Sequence, residues 1–431
     1  MRCQAISDGS PRRDVLDVSD ISISQSITIT DTWLEQPLVA ARATAPSVAL
    51  YRCRLPAIAA PELHTEHGVR LLQCTVPGTI DLTAAQIGGE LLLEGCTIGV
   101  ASPAQLIEEG VSSVSDPMTP LSVHATAGIL LGNAQVQGSV WLTGTTVGNV
   151  GGRKGSSLSA ASVTIQGSLL AEDGFQANGR IYLLNARIGD LYFDNVELNG
   201  AGSDALLLEE GVVTRLWLDL RSSSNGRIHL RDAELGRLLV DSLDWPASCR
   251  LDLAGVSFDR LDSLHGGSTV QHQLEWLGRN TTGYFPAAYE QLSLAYRREG
   301  REKDARAILI SKERQQRNQL GVGGWLWGLV QDVFIGYGYA PFRSIFWLIA
   351  ILAAGTAYFW TRQPDPISAD HPTWNPFVYV LDLLLPVVDL GQQNAFDPVG
   401  QTQAVALALV GVGWVLTAAV VAGVSRIINR Q

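Results

Sequence analysis

One eight-residue pattern recurs through the first 260 residues: apolar, any, apolar, any, any, small, any, apolar. It reads Val69/Leu71/Cys74/Val76, Ile80/Leu82/Ala85/Ile87 and Leu91/Leu93/Cys96/Ile98, then Ile129/Leu131/Ala134/Val136 and Val140/Leu142/Thr145/Val147. Further copies begin at Leu158, Ile181, Leu191, Ile228 and Leu251, with weaker ones at Leu169, Ala205, Leu216 and Leu238. Where no insertion intervenes, successive starts fall 10 to 12 residues apart. Alternation by two is the signature of strands, and a helix would need a period near 3.6. A unit this short cannot bury its inward side chains alone. Copies stacked about 4.8 Å apart bury them as continuous interior ladders. Two half-coils per coil turn fourteen copies into a rod of roughly 34 Å. The expected fold is mainly β: a β-solenoid over residues 69–264, broken by Gly at its corners.

A solenoid needs atypical ends to protect its open edges. Residues 1–68, where Ile21, Ile23, Ile27 and Ile29 alternate with Ser and Thr, are expected to form an N-terminal cap. The Gly/Ser/Pro-rich stretch from Gly99 to Gly128 is expected to leave the stack as an excursion. Cys74 and Cys96 occupy the small slot of the pattern and are read as interior packing. The chain's five cysteines are scattered, with no close pair, which predicts reduced thiols and no disulfide framework. Its 31 Lys and Arg against 42 Asp and Glu give a formal charge of −11, which excludes a nucleic-acid binder that works by neutralising phosphates.

From His265 the periodicity becomes helical. Residues 265–320 are expected to be a helical connector, a hairpin in which Gly300 separates two helices and Tyr289, Leu292 and Tyr296 face Ala305, Ile308 and Leu309. The last part, 321–431, is expected to be a membrane module. Trp325 to Tyr339 suits an interfacial helix. Ser344–Thr361 and Ala404–Val424 are uncharged apolar runs of 18 and 21 residues, near the roughly 20 that cross a bilayer. Lys and Arg crowd the outer flanks of these runs, whereas the segment between them has only Arg362 and five aspartates. The positive-inside bias therefore places both termini in the cytoplasm, with the chain in a plasma (inner) membrane and the lipid bilayer as its first partner. No apolar leader is read in the first 30 residues. Residues 375–390 are apolar but too short to span and are interrupted by Pro386, which fits a re-entrant or interfacial segment. In the re-entrant case Asp382, Asp389 and Pro386 are the candidate pore or outer-mouth residues, and a pore of two-span chains requires a homo-oligomer.

The five-residue spacing Leu183, Ile188, Phe193, Leu198 resembles the pentapeptide-repeat class of right-handed β-helices. The helical pair around Gly300 is similar to a tetratricopeptide hairpin. Together with GYGYAPFRSIFW and LDLLLPVVDLG, these features resemble bacterial membrane proteins that join a degenerate pentapeptide-like solenoid to a channel-like pair of spans. The resemblance implies a membrane protein and transfers no catalytic residue, although such proteins often carry an oxidoreductase label. Enzyme signals are weak. GNVGGRKGSS (148–157) has Arg153 where a phosphate loop needs Gly, Gly321, Gly323 and Gly324 do not follow a strand, and His64 and His67 are expected in an exposed Pro-rich turn. No cofactor or metal is expected. The readings left open are a non-enzymatic scaffold or sensor with a possible protein partner on the solenoid face, an oligomeric two-span ion channel, and a membrane-associated oxidoreductase.

Overall fold

Each copy of the pattern folds as half a coil, and the coils stack in parallel register. The computed structural model describes residues 2–4, 16–100, 127–149, 155–240, 244–264, 269–280, 285–317, 341–368, 372–385 and 389–428. They form a mainly β structure, a β-solenoid of about nine turns, with six helices. The chain divides into two compact units, 1–301 and 302–431.

One coil shows the construction. Its short strands Ile80–Asp81, Gln86–Ile87, Glu90–Glu94 and Thr97–Ile98 pair in parallel with Ala127–Leu130, Gln135–Val136, Val140–Trp141 and Thr146–Val147 of the next coil. Register is kept between the strands on either side of residues 99–126. Inward residues Ile80, Leu82, Ala85, Ile87, Leu91, Leu93, Cys96 and Ile98 are all buried. Cys53, Cys74 and Cys96 share one interior column as free thiols, each close enough to the backbone carbonyls of its own and the preceding coil to donate to them.

The corner between the second apolar residue and the small one is a tight β-turn. Ala85 N–H donates to Leu82 O at 3.1 Å, and Ala134 N–H to Leu131 O at 3.0 Å. Its third residue is left-handed: Asp20, Asp31, Arg42, Arg52, Glu62, Gln73, Ala84 and Gly95 all have φ between 50° and 60°. Glycine was expected there, yet most of these residues carry side chains. A left-handed L-residue costs roughly 1–2 kcal/mol, and the in-register ladders on both sides of each corner hold it in place. Stacked corners also interact, since the Arg42 guanidinium meets Asp20 at 2.6 and 2.7 Å, and Arg52 meets Asp31 at the same distances. These pairs are about half exposed and add little stability.

The ladder reaches back to Arg2–Gln4, which pair with Thr28–Thr30, and so into the segment expected to form a cap. Leu16, Leu38, Ile58 and Ile80 pair in succession, as do Thr28, Ala49 and Arg70. Ile27/Ile29/Thr32/Leu34 and Val48/Leu50/Cys53/Leu55 are good copies of the pattern that the self-comparison passed over.

At the other end, helices α1 (Val270–Gly278) and α2 (Pro286–Arg298) lie on the last coil. Its free edge is completed by side-chain amides. Asn280 Oδ1 accepts from Leu253 N–H at 3.1 Å and Gln291 Oε1 from Phe258 N–H at 3.0 Å, while Gln273 Nε2 donates to Leu261 O at 3.0 Å. Gln273 is buried and also accepts from the Tyr296 hydroxyl at 2.8 Å. Trp276, fully buried, stacks edge-on against Trp245 at 5.5 Å. Gly300, at φ 76°, ends α2 as expected, and α3 (Glu302–Arg317) follows in the second unit.

The second unit also holds α4 (Pro341–Trp360), α5 (Pro376–Leu384) and α6 (Gln401–Ile428). The two apolar runs do fold as α4 and α6. Among the described residues, however, no helix is long and apolar enough to cross a membrane. The expected interfacial helix at Trp325 to Tyr339 lies outside the described residues.

Substitutions at two positions test the corner and the cap. Replacing Ala84 by Gly removes the left-handed penalty and should raise stability by up to about 1 kcal/mol, whereas Ala84→Val, β-branched, should lower it by at least as much. Replacing Gln273 by Leu takes the donor from Leu261 O and an acceptor from the Tyr296 hydroxyl and should cost about 1–3 kcal/mol. Urea unfolding of each variant gives both answers. Equal stability of the two Ala84 variants would contradict the corner assignment.

Candidate functional site

A second kind of corner, between the first and second strands of each two-strand sheet face, is built on glycine. Gly89, Gly138, Gly167 and Gly189 follow one another in successive coils. A Cβ on Gly138 would lie 2.7 Å from Gly89 O, one on Gly167 2.7 Å from Gly138 O, and one on Gly189 2.5 Å from Gly167 O. The backbone of each coil therefore touches the one before it, and the surface sinks into a groove. The signal is present in the sequence as a Gly one to three residues after the last apolar position: Ile87-Gly88-Gly89, Val136-Gln137-Gly138, Ile165-Gln166-Gly167, Ile188-Gly189. It goes unread when Gly is treated only as a chain breaker.

Over the N-terminal coils this groove has a volume of about 290 Å³ and is lined by His64, Glu66, Gln86, Gln135, Gln137 and Gln166. His64, Gln86, Gln135 and Thr164 are register partners in successive coils. His64 and Glu66 alternate with buried Thr65 on the strand His64–Leu72, so the expected exposed turn is a strand. Among the described residues no three His, Cys, Asp or Glu side chains gather as a metal site. Over the C-terminal coils a cleft of about 520 Å³ lies between the same face and α2. Its walls are Val212, Leu235 and Phe258 on the solenoid and Gln291, Leu294 and Arg298 on α2, with Glu234 and Asp259 at the rim. Both surfaces can hydrogen-bond and pack against a ligand. Neither sets a nucleophile beside a base.

His229, isolated in the sequence, is brought by stacking to 3.5 Å from the buried Asp252 carboxylate, which Arg231 approaches at the same distance. Cys249 is buried, and burial pushes its thiol up to about 11. Cys53, Cys74 and Cys96 are equally enclosed.

In the second unit α5 packs between α4 and α6. Tyr379, Val380, Leu383 and Leu384 meet Phe359 of α4 and Ala406 and Leu409 of α6 in one apolar cluster. Glycine admits the short helix on both sides: a Cβ on Gly355 would lie 2.7 Å from Val380 Cγ1, and one on Gly413 would overlap Leu384 O. Asn375 caps α5, accepting from Phe377 and Val378 N–H. Asp382 is 3% exposed, and its carboxylate accepts from Leu390, Gln392 and Gln393 N–H at 2.8, 2.9 and 2.7 Å. Its acceptor capacity is thus spent on folding the loop after α5. Asp389 is at the surface, accepting from Gly391 N–H at 2.8 Å and facing Asn394. Pro386 lies outside the described residues, as do half of the phosphate-loop look-alike at 148–157 and Gly321, Gly323 and Gly324.

Comparison of the chain with protein-family models, curated proteins and solved structures gave no match.

Two expected outcomes follow from this geometry. At pH 8 the Cys53, Cys74, Cys96 and Cys249 thiols should resist iodoacetamide until the protein is unfolded, and modification of the native protein within minutes would contradict their enclosure. Asp382→Asn keeps the size but gives up charged acceptors for three N–H groups, so it should destabilise the second unit by about 2–4 kcal/mol, read as earlier loss of helical signal on heating. Unchanged melting would remove Asp382 from this structural role.

Proposed function

We propose that the chain is a membrane-anchored scaffold, with the solenoid as its binding rod and the α4–α5–α6 unit as its anchor. The observation that carries this reading is the outer surface of α4 and α6. Phe346, Ile349 and Trp360 on α4 are 66%, 60% and 74% exposed, and Leu407 and Trp414 on α6 are 66% and 60% exposed. Their inner faces are meanwhile packed on α5. Large apolar side chains that face outward on the described parts of two helices call for an apolar surrounding. The apolar runs of 18 and 21 residues supply enough length for two spans, and the flanking Arg and Lys put both termini on the cytoplasmic side. The right-handed, pentapeptide-like winding belongs to the same reading: each coil has four short sides of about five residues, as the spacing Leu183, Ile188, Phe193, Leu198 implies. The regular faces of the rod, stacked in register, support scaffolding.

The test is extraction and topology in cells that express the full chain. The protein should stay in membranes through an alkaline carbonate wash. A cysteine introduced at Gln393 should react with an impermeant maleimide from outside, and one at Ser311 should not. Recovery in the soluble fraction would end the anchor reading, and reversed labelling would end the orientation.

A second reading, an oligomeric two-span channel, draws on one observation: a half-helix, α5, seated between two longer helices. Asp389, exposed on the loop after α5, is the carboxylate available to attract cations. Under this reading purified protein conducts cations in planar bilayers and Asp389→Asn reduces the selectivity. Electrically silent protein leaves the anchor alone.

A further inference from the structure

The segment that leads from the solenoid toward the apolar runs has a charge opposite to that of the chain as a whole. Residues 297–317 carry eight Lys and Arg against four Asp and Glu, in a chain whose formal charge is −11, and no Lys or Arg follows until Arg343. Within this segment α3 sorts its residues by face. Ala305, Ile308 and Leu309 are buried on one side. Lys303, Arg306 and Arg314 stand at positions i, i+3 and i+11, with Ile310 at i+7, a spacing that sets them in one line along the helix. All three cations are exposed, and so is Ala307 beside them. The line runs about 16 Å at 1.5 Å per residue.

The acids of α3 lie beside this line and not on it. By helical position Glu302 and Glu313 flank it on one edge, and Asp304, half-buried, on the other. Glu302 meets Arg306 at 3.9 Å with both side chains more than half exposed. A solvated pair that long holds its members loosely and leaves the guanidinium donors to spare. Ile310, within the line, is half-buried and brings no acceptor. The outer face of α3 therefore presents cations over about three turns.

We propose that this face of α3 docks on the anionic phospholipid headgroups of the leaflet that bounds the cytoplasm. The proposal rests on the anchor reading above. α3 belongs to the same compact unit as α4 and α6, whose outer faces are apolar, so anchoring that unit holds a cationic face close to a negatively charged surface. Charge complementarity chooses the occupant. Lys and Arg beside such a surface are attracted to it, whereas the remainder of the chain, more acidic still, is repelled. The contact needs no pocket: ammonium and guanidinium groups meet phosphate oxygens at the surface. It is electrostatic throughout and is weakened by salt.

The test uses the full-length chain carrying Cys3→Ser, since the other four thiols are buried. It is reconstituted into vesicles of phosphatidylcholine, alone or with one third phosphatidylglycerol. A spin label at Ala307→Cys reports the α3 face, one at Asn185→Cys on an exposed solenoid corner is the control, and flotation reports anchoring. In the phosphatidylglycerol vesicles an uncharged, water-soluble relaxation agent should reach the Ala307 label several-fold less well than in phosphatidylcholine, and molar salt should restore access. The Asn185 label should not respond. Lys303→Glu, Arg306→Glu and Arg314→Glu together should abolish the difference, with circular dichroism checking that the helices are kept. A chain that floats with both vesicles while Ala307 stays equally accessible keeps the anchor and overturns the docking. One that floats only with phosphatidylglycerol, and not as the triple variant, keeps the docking and ends the anchor. Flotation with neither vesicle, or an equal response at Asn185, overturns the docking. Loss of access in both vesicles alike overturns it too, by placing another copy of this acidic chain on the face.

Discussion

The whole first unit depends on the parallel backbone ladder between coils. Each coil exchanges hydrogen bonds with both of its neighbours, Gln86 N–H donating back to Leu63 O and Leu82 N–H forward to Leu130 O, and few strands are long enough to stand alone. Ile80 pairs with Ile58 behind and Ile129 ahead, and Gln86 with His64 and Gln135. Once that register is fixed, everything at a given place in the pattern lines up in columns. Cysteines fall on cysteines, glycines on glycines, and apolar outward residues on one another. The left-handed corners are a condition of this arrangement. They reverse the chain within one turn so that each side meets its counterpart squarely, and the strain at Ala84 or Asp31 is borne because the ladders on both sides admit no other path.

A ladder of this kind has two open ends. At the C-terminal end α1 and α2 close it with amides rather than with another strand. Gln273, Asn280 and Gln291 imitate the peptide groups of a missing coil, donating or accepting where that coil would have done so. The device explains why this helical region, which by sequence reads as a connector, belongs structurally to the solenoid as far as Arg301. In the second unit a single carboxylate has a comparable task. Asp382 gathers three backbone N–H groups and so fixes the loop that returns the chain from α5 toward α6.

The coil construction was legible in the sequence because inward residues must be apolar and the corner must be small, and both requirements leave a pattern. Its start was harder to place. Leu38/Ala40/Ala43/Ala45 and Ile58/Ala60/Leu63/Thr65 fill several of the pattern's apolar positions with Ala or Thr, which blurred the alternation and left residues 1–68 looking like a cap. The role of Asp382 was not legible, since three N–H partners eight to eleven residues downstream leave no trace in residue spacing. Register, and not residue spacing, brings Leu92, Trp141, Leu170, Tyr192 and Trp217 into one line, since unequal insertions separate them in the sequence.

Register across the segment between Ile98 and Ala127 is the part of this account on which the rest stands, because both columns and grooves run through it. A double variant with Cys at Gln86 and Gln135, 49 residues apart in sequence and partners in the structure, tests it most directly. In-register strands bring their Cα atoms within the roughly 4.4–6.8 Å that a disulfide spans. Mild oxidation should therefore close an intramolecular bond, seen as a faster-migrating chain on a non-reducing gel, while Cys at Gln86 and Asn133 should not. Bonding by the second pair in place of the first would contradict the continuous solenoid.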